Sequence, residues 1–151
     1  MLIIQALVAV SGIIPIYLIV KKLTNRYLLS VVAMLAYVLY PGLQMALNFG
    51  FYPENMAPAL FAWAFWFLIN NKVWQYFLFL IFWIGLKESI SLHALMFGIF
   101  IYFWGQGSKV NLNILKHKKI AFATFLIVIA WFIVAIRFVI PSHANDLFPW
   151  A

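Results

Sequence analysis

The sequence predicts an all-α fold, a polytopic transmembrane helix bundle of about six membrane segments with no soluble domain. Three observations predict it. Of the 151 residues, 68% are hydrophobic and 9% charged, and the mean hydropathy is +1.05. Soluble chains carry roughly a quarter charged residues; so few charges cannot cover a surface against water, and lipid is the solvent that remains. Apolar runs suited to helices in hydrocarbon alternate with short polar gaps. Lysine and arginine fall in alternate gaps, as cytoplasmic loops require.

The first segment covers residues 2–20 and stops at Lys21, Lys22, Thr24, Asn25 and Arg26. The second covers 27–47, with Pro41-Gly42 expected to kink it or end it early. A polar break from Asn48 to Asn55 follows. The third segment, 56–69, has Pro58 in its first turn and ends at Asn70-Asn71-Lys72. Residues 73–104 form a stretch of about 32, too long for one ordinary span of roughly 17–25. Charge divides it. The basic gaps are 21–26, 72 and 109–119, whereas 48–55 and 141–151 hold no Lys or Arg. Two spans, 73–86 and 90–104, keep the alternation unbroken; one span puts Lys109, Lys116, Lys118 and Lys119 on the wrong side. The last segment is 120–140. The whole chain then reads as one transmembrane domain in the cell membrane, amino terminus outside. Its three acidic residues, Glu54, Glu88 and Asp146, share the outer face.

The formal net charge of +7 belongs to these gaps. No basic face with stacking aromatics lies outside the apolar runs, so nucleic acid is not an expected partner; the lipid bilayer is. The absence of cysteine excludes disulfides and thiolate metal sites. No phosphate loop, zinc-type histidine spacing, nucleophile elbow or selectivity filter occurs. The first apolar run lacks a charged leader, and the chain stops just after Phe148-Pro149-Trp150. It reads as part of a longer protein.

Ionisable residues within apolar runs cost ~2.5–3.5 kcal/mol each on insertion scales and are usually paired or functional. Lys87-Glu88 is the strongest such case: Glu88 as a base or cation ligand and Lys87 as an anion contact, or the two as markers of a tight outer turn. Ser89 and His93 stand one helical turn apart, either facing a shared crevice or with His93 in a structural hydrogen bond. Glu54 either projects into the same cavity as Glu88 or simply stabilises a helix amino terminus through the dipole, with Asn55 as its cap. Arg137, near the outer end of the last segment, either pairs with an acid or phosphate or snorkels to the interface. The segment Ser108–Lys119 either lies along the inner leaflet against anionic head groups or is a solvated basic loop. The tail adds His143, Asn145 and Asp146 to the outer polar groups.

Asn48-Phe49-Gly50-Phe51-Tyr52-Pro53-Glu54-Asn55-Met56-Ala57-Pro58 resembles the "F-D-F-H-P-E-x-L-A-P" segment of a bacterial and archaeal family of predicted multi-pass membrane proteins of unknown function. Leu86-Lys87-Glu88-Ser89 resembles its "V-K-E-D" segment. Leu2–Ala6 with Pro15, Tyr17 and Leu18, and Tyr37–Pro41, resemble its preceding helices; the last span with Ile140-Pro141 and Phe148-Pro149-Trp150 resembles its next helix and "Y-P-Y" loop. That family is similar to the C-type glycosyltransferases, multi-pass enzymes that take a sugar from a polyprenyl-phosphate carrier on the outer face. The resemblance implies glycosyl transfer to an extracytoplasmic acceptor. Glu54, Lys87 and Glu88 match the family's Glu and its Lys-Glu pair, while Tyr52, Gly50 and Ser89 replace its His and two Asp. The superfamily's catalytic acid lies upstream of anything present here, so the resemblance assigns this chain no catalytic base and makes the remainder of the same enzyme a partner.

The expected function is therefore part of such a transferase, with a lipid-linked sugar as donor. Glu54, Glu88, His93 and Tyr52 are substrate-binding candidates, Lys87 and Arg137 phosphate-neutralising ones. Glu54 and Glu88 are also the candidate ligands of a divalent cation. The alternatives are a transporter or permease component with Lys87, Glu88 and His93 as an intramembrane site, or a non-catalytic membrane scaffold.

Overall fold

Broken helices account for most of the described residues. The computed structural model describes residues 2–48, 50–107 and 114–139, and these are helical with no strand among them. They form two compact units, Met1–Lys87 and Glu88–Ala151.

In the first unit, α1 (Leu2–Ser11) and α2 (Ile13–Thr24) divide the first apolar run at Gly12. Pro15 explains the break. It lacks the N–H that would bond the Ser11 carbonyl, and its ring crowds that carbonyl. The helix then continues past Val20 to Thr24, where Asn25 takes a left-handed φ of 52° and its N–H bonds the Lys21 carbonyl. The second run is α3 (Tyr27–Leu39) and α4 (Pro41–Asn48), divided at Tyr40, whose extended backbone (ψ 116°) is what a following proline demands. A 3-10 turn, Pro53–Met56, leads into α5 (Ala57–Ile69). Asn71, at a φ of 58°, reverses the chain into α6 (Val73–Ile84). The N-cap positions are Tyr52 for the 3-10 turn and Met56 for α5, and neither makes a side-chain cap bond; Asn55 lies within the 3-10 turn instead of at the N-cap of α5.

Small residues let these helices approach closely. Ala9, Ala59, Ala62 and Ala64 are buried, and a Cβ added to Gly12 would stand 3.0 Å from the Ala59 Cα. α6 buries Tyr76, Leu80, Trp83 and Ile84, one helical face. Aromatic rings interlock between α5 and α6, with Phe61 5.0 Å from Trp83 and Phe67 5.2 Å from Phe79. Trp63 Nε1 donates to Ser11 Oγ at 3.2 Å, and Tyr37 Oη to the Ala9 carbonyl at 2.7 Å, so polar groups in the apolar interior are spent on joining helices.

The two ends of this unit differ in chemistry. At one, Lys22 Nζ donates to the Ile69 carbonyl at 3.0 Å and to Asn70 Oδ1 at 2.7 Å, satisfying the end of α5 with a cation where the dipole favours one. Lys21, Arg26 and Lys72 flank those residues in sequence. At the other lie Gln5, the 50–55 turn and Lys87, joined by the bonds described below.

The second unit is a helical hairpin, α7 (Glu88–Gly107) and α8 (Ile114–Val134), the latter ending in a π-helical turn, Ala135–Val139. Its seam has heptad spacing: Ile90, Ala94, Phe97 and Ile101 on α7, and Ala121, Thr124, Val128 and Ala135 from α8 into the terminal turn. α8 begins well inside the basic stretch where the sequence predicts a gap, so Lys118 and Lys119 are helical. Lys118 stands over the Tyr102 ring, 5.8 Å from its centre.

Among the described residues, two helical stretches are long and apolar enough to cross a bilayer unaided: Leu2–Thr24 and Lys118–Arg137. The 13 residues of α5 span about 20 Å, short of a hydrocarbon core of about 30 Å. Leu28 and Trp74 are 76% and 80% exposed, and every α-helix except α5 carries large apolar side chains that are bare on its surface. Such a surface needs lipid or protein over it.

Candidate functional site

The site grows from a non-helical stretch. Gly50 has a φ of 111°, open in practice only to glycine. The backbone from Gly50 to Tyr52 makes no helix, so its polar groups need partners from elsewhere. Gln5, fully buried on α1, supplies them from one amide: Oε1 accepts from the Tyr52 N–H at 2.9 Å, and Nε2 donates to the Gly50 carbonyl at 3.3 Å. Pro53 then starts the 3-10 turn, which the Asn55 N–H closes on the Tyr52 carbonyl at 3.0 Å.

This turn carries Glu54 to Lys87. Lys87 Nζ donates to Glu54 Oε1 at 2.9 Å, with side chains 45% and 36% exposed. The hydrogen bond from Lys87, reinforced by backbone hydrogen bonding and the ammonium charge, holds the Glu54 carboxyl below its ordinary pKa. The Glu54 carboxyl is therefore ionised at neutral pH. Beside the pair opens a cleft of about 380 Å³ lined by Ala36, Tyr37, Tyr40, Leu43, Glu54 and Pro58, among others. A largely apolar wall with a carboxylate at one side suits an amphipathic ligand.

None of the other candidates is among the residues lining this cleft. Tyr52 is half-exposed and contributes its backbone N–H to Gln5. Glu88 is exposed in the first turn of α7, in the second unit, where a carboxylate meets the helix dipole. His93 Nδ1 lies 3.2 Å from the Ser89 carbonyl of its own helix. Arg137 is exposed in the π-helical turn and makes no ion pair with a described residue. No three His, Asp or Glu side chains converge among the described residues. His143, Asn145, Asp146 and the Ser108–Asn113 part of the basic segment lie outside the described residues.

Comparison with known proteins now bears on the same segments. The model of the family described as "Predicted membrane protein (DUF2079)" matches residues 1–150. The chain belongs to this family. It is a membrane protein on that ground, and its apolar helices and bare apolar surface agree. No curated protein and no solved structure matches it. Membership in the DUF2079 family covers both segments that meet in the Glu54–Lys87 pair.

Sequence reasoning singled out Glu54 and Lys87 separately and did not join them to each other. It passed over Gln5, although an amide in the middle of Leu2-Ile3-Ile4-Gln5-Ala6-Leu7 is the kind of buried polar group that must find partners. Tyr37 and Tyr40, which line the cleft, were hidden by being aromatic residues among many.

Proposed function

We propose that this chain is the donor-side part of a membrane glycosyltransferase that moves a sugar from a polyprenyl-phosphate carrier to an acceptor outside the cytoplasm. The observation that carries the reading is the Glu54–Lys87 pair. It joins the two segments that resemble the family's polar motifs, at the edge of an apolar cleft. The cleft wall suits a prenyl chain, and an ammonium fixed by a carboxylate suits the phosphate beside it. The acceptor hydroxyl oxygen attacks the anomeric carbon, and the bond from that carbon to the phosphate oxygen breaks. The electron pair leaves with the polyprenyl phosphate. The acceptor's proton passes to a base that the remainder of the enzyme supplies. Lys87 offsets the charge growing on the leaving phosphate, and Glu54 holds Lys87 in place. Glu88 and Arg137 are further contacts to sugar, acceptor or cation.

In this reading all six segments cross the cell membrane, the amino terminus is outside, and Glu54 and Lys87 meet the outer face. The transporter alternative needs Lys87, Glu88 and His93 as one site. It is not better supported, because the Lys87 ammonium lies on Glu54 and His93 lies on a carbonyl of its own helix.

The test uses native membranes containing the whole protein and a labelled polyprenyl-phosphate hexose. Transfer of label to a water-soluble or peptidic acceptor is expected, falling at least tenfold in Lys87→Met and about as far in Glu54→Gln. Wild-type rates in both variants, or no saturable binding of the labelled lipid, would end this reading.

A further inference from the structure

We infer that Gln5 is a positioning residue: through the backbone it holds, it fixes where Glu54 stands, and so whether Glu54 can meet Lys87. This deepens the site proposed above and rests on that reading only for the site's purpose, since the geometry is independent of the reaction.

The argument begins with cost. An amide fully buried on an apolar helix is tolerated only where its hydrogen bonds are made. Gln5 makes them with backbone, on either side of Phe51: the Gly50 carbonyl and the Tyr52 N–H. This is the pattern a neighbouring strand would present, supplied by one side chain to a stretch without a strand partner. Helical backbone satisfies itself and needs no such clamp. The clamp acts where the chain is otherwise least determined, next to a glycine with a φ of 111°. Downstream there is no slack. Tyr52 is clamped, Pro53 has a fixed φ, the Asn55 N–H closes the turn on Tyr52, and Glu54 is the residue between. A shift of the clamped stretch therefore moves the Glu54 carboxylate with it. Lys87 enters from a different direction, at the end of the short stretch after α6, and the 2.9 Å contact requires both approaches to be right.

Proximity at the pair can be read without the pair. These 151 residues contain no cysteine, so once any cysteine elsewhere in the full-length membrane protein is replaced by serine, Glu54→Cys with Lys87→Cys gives two addressable thiols. A short bis-thiol crosslinker then reports where the two backbones stand, with the ion pair removed. Three backgrounds are compared: unaltered, Gln5→Met and Ser11→Ala. Methionine matches glutamine in length and lacks the amide. Ser11→Ala removes a different link made by the same helix, the bond accepted from Trp63. Crosslinking at least threefold slower in Gln5→Met, with Ser11→Ala unchanged, is the expected result. Equal rates in Gln5→Met and the unaltered background would overturn the inference, and so would an equal fall in both variants, which marks general loosening. If Gln5→Met does not accumulate in the membrane, Gln5→Asn is measured instead. It keeps an amide too short to reach both groups and should slow crosslinking likewise; an unaltered rate would again overturn the inference. None of these outcomes depends on sugar transfer, so loss of the transferase reading and loss of this one are told apart.

Discussion

At the scale of single residues, the contact between Glu54 and Lys87 has a defined pH signature. The folded carboxyl has a lowered pKa, chiefly because Lys87 donates a hydrogen bond to it, while the unfolded one keeps its ordinary value near 4.5. Below that value the unfolded state binds more protons than the folded state, so acid favours unfolding. The stabilisation is complete above about 4.5 and is lost as pH falls through the lowered folded value. Both side chains are more than a third exposed, so the effect is small, below about 1 kcal/mol. Thermal unfolding in detergent should therefore show Glu54→Gln slightly less stable than wild type at pH 7, and the difference should shrink towards zero on acidification. A difference that grew in acid would contradict the assignment. Sequence alone marked both residues, because a charge next to an apolar run must be explained. It did not reveal their partnership, because residues 33 apart meet only through the packing of α5 on α6. The Lys87-Glu88 neighbours were the more conspicuous pair in the sequence, yet a dipeptide cannot fold its own side chains together as a cross-helix contact can.

The element scale was the most legible, and its exceptions have physical causes. Chain breaks at Asn25, Pro41, the 50–55 stretch and Asn71 all lie at residues whose backbone preferences announce them. The division of the first run at Gly12 was equally written in Pro15 and was obscured by the unbroken hydrophobicity around it. What hydrophobicity cannot convey is which small residue is a contact point. Gly12 and Gly98 look alike in sequence but differ in surroundings. A Cβ at Gly12 would lie 2.7 Å from Tyr37 Oη and 3.0 Å from both the Ala59 Cα and its Cβ, and a backbone atom cannot swing aside. At Gly98 the nearest atoms belong to the Phe125 ring at 3.5 Å, an ordinary contact. Gly12→Ala should therefore cost roughly 1–3 kcal/mol, the usual range for overpacking. Gly98→Ala should be neutral, or stabilising by up to about 1 kcal/mol, because alanine is the better helix residue. Denaturant titration of each in detergent checks the pair, and the order of the two variants is the informative quantity.

For the molecule as a whole, the distribution of charge over the first unit bears on orientation. Lys21, Lys22, Arg26 and Lys72 gather where the carbonyl end of α5 accepts Lys22. Among the described residues Lys87 is the one Lys or Arg at the opposite end, and it is there with a carboxylate on it. A cation neutralised by a partner carries little weight in the sorting that retains free lysine and arginine in the cytoplasm. If that end faces outward, the pairing with Glu54 reconciles Lys87 with the rule. A topology map tests the orientation of both units. These 151 residues hold no cysteine, so single thiols can be placed at Tyr52, Thr24, Asn71 and Ser89 in a protein cleared of any cysteine elsewhere, and exposed in intact cells to a membrane-impermeant maleimide. Thiols at positions 52 and 89 should label at once, and those at 24 and 71 only after the membrane is permeabilised. A phosphatase reporter fused after Lys119 should be inactive, as a cytoplasmic one is. Labelling at 24 and 71 in intact cells would invert the first unit and carry Glu54 to the inside, where a lipid-linked sugar presented on the outer leaflet cannot reach it. An active reporter with 52 still labelled outside would mean instead that residues 73–104 cross only once, leaving the first unit as described and placing Lys87 within the membrane rather than at its face.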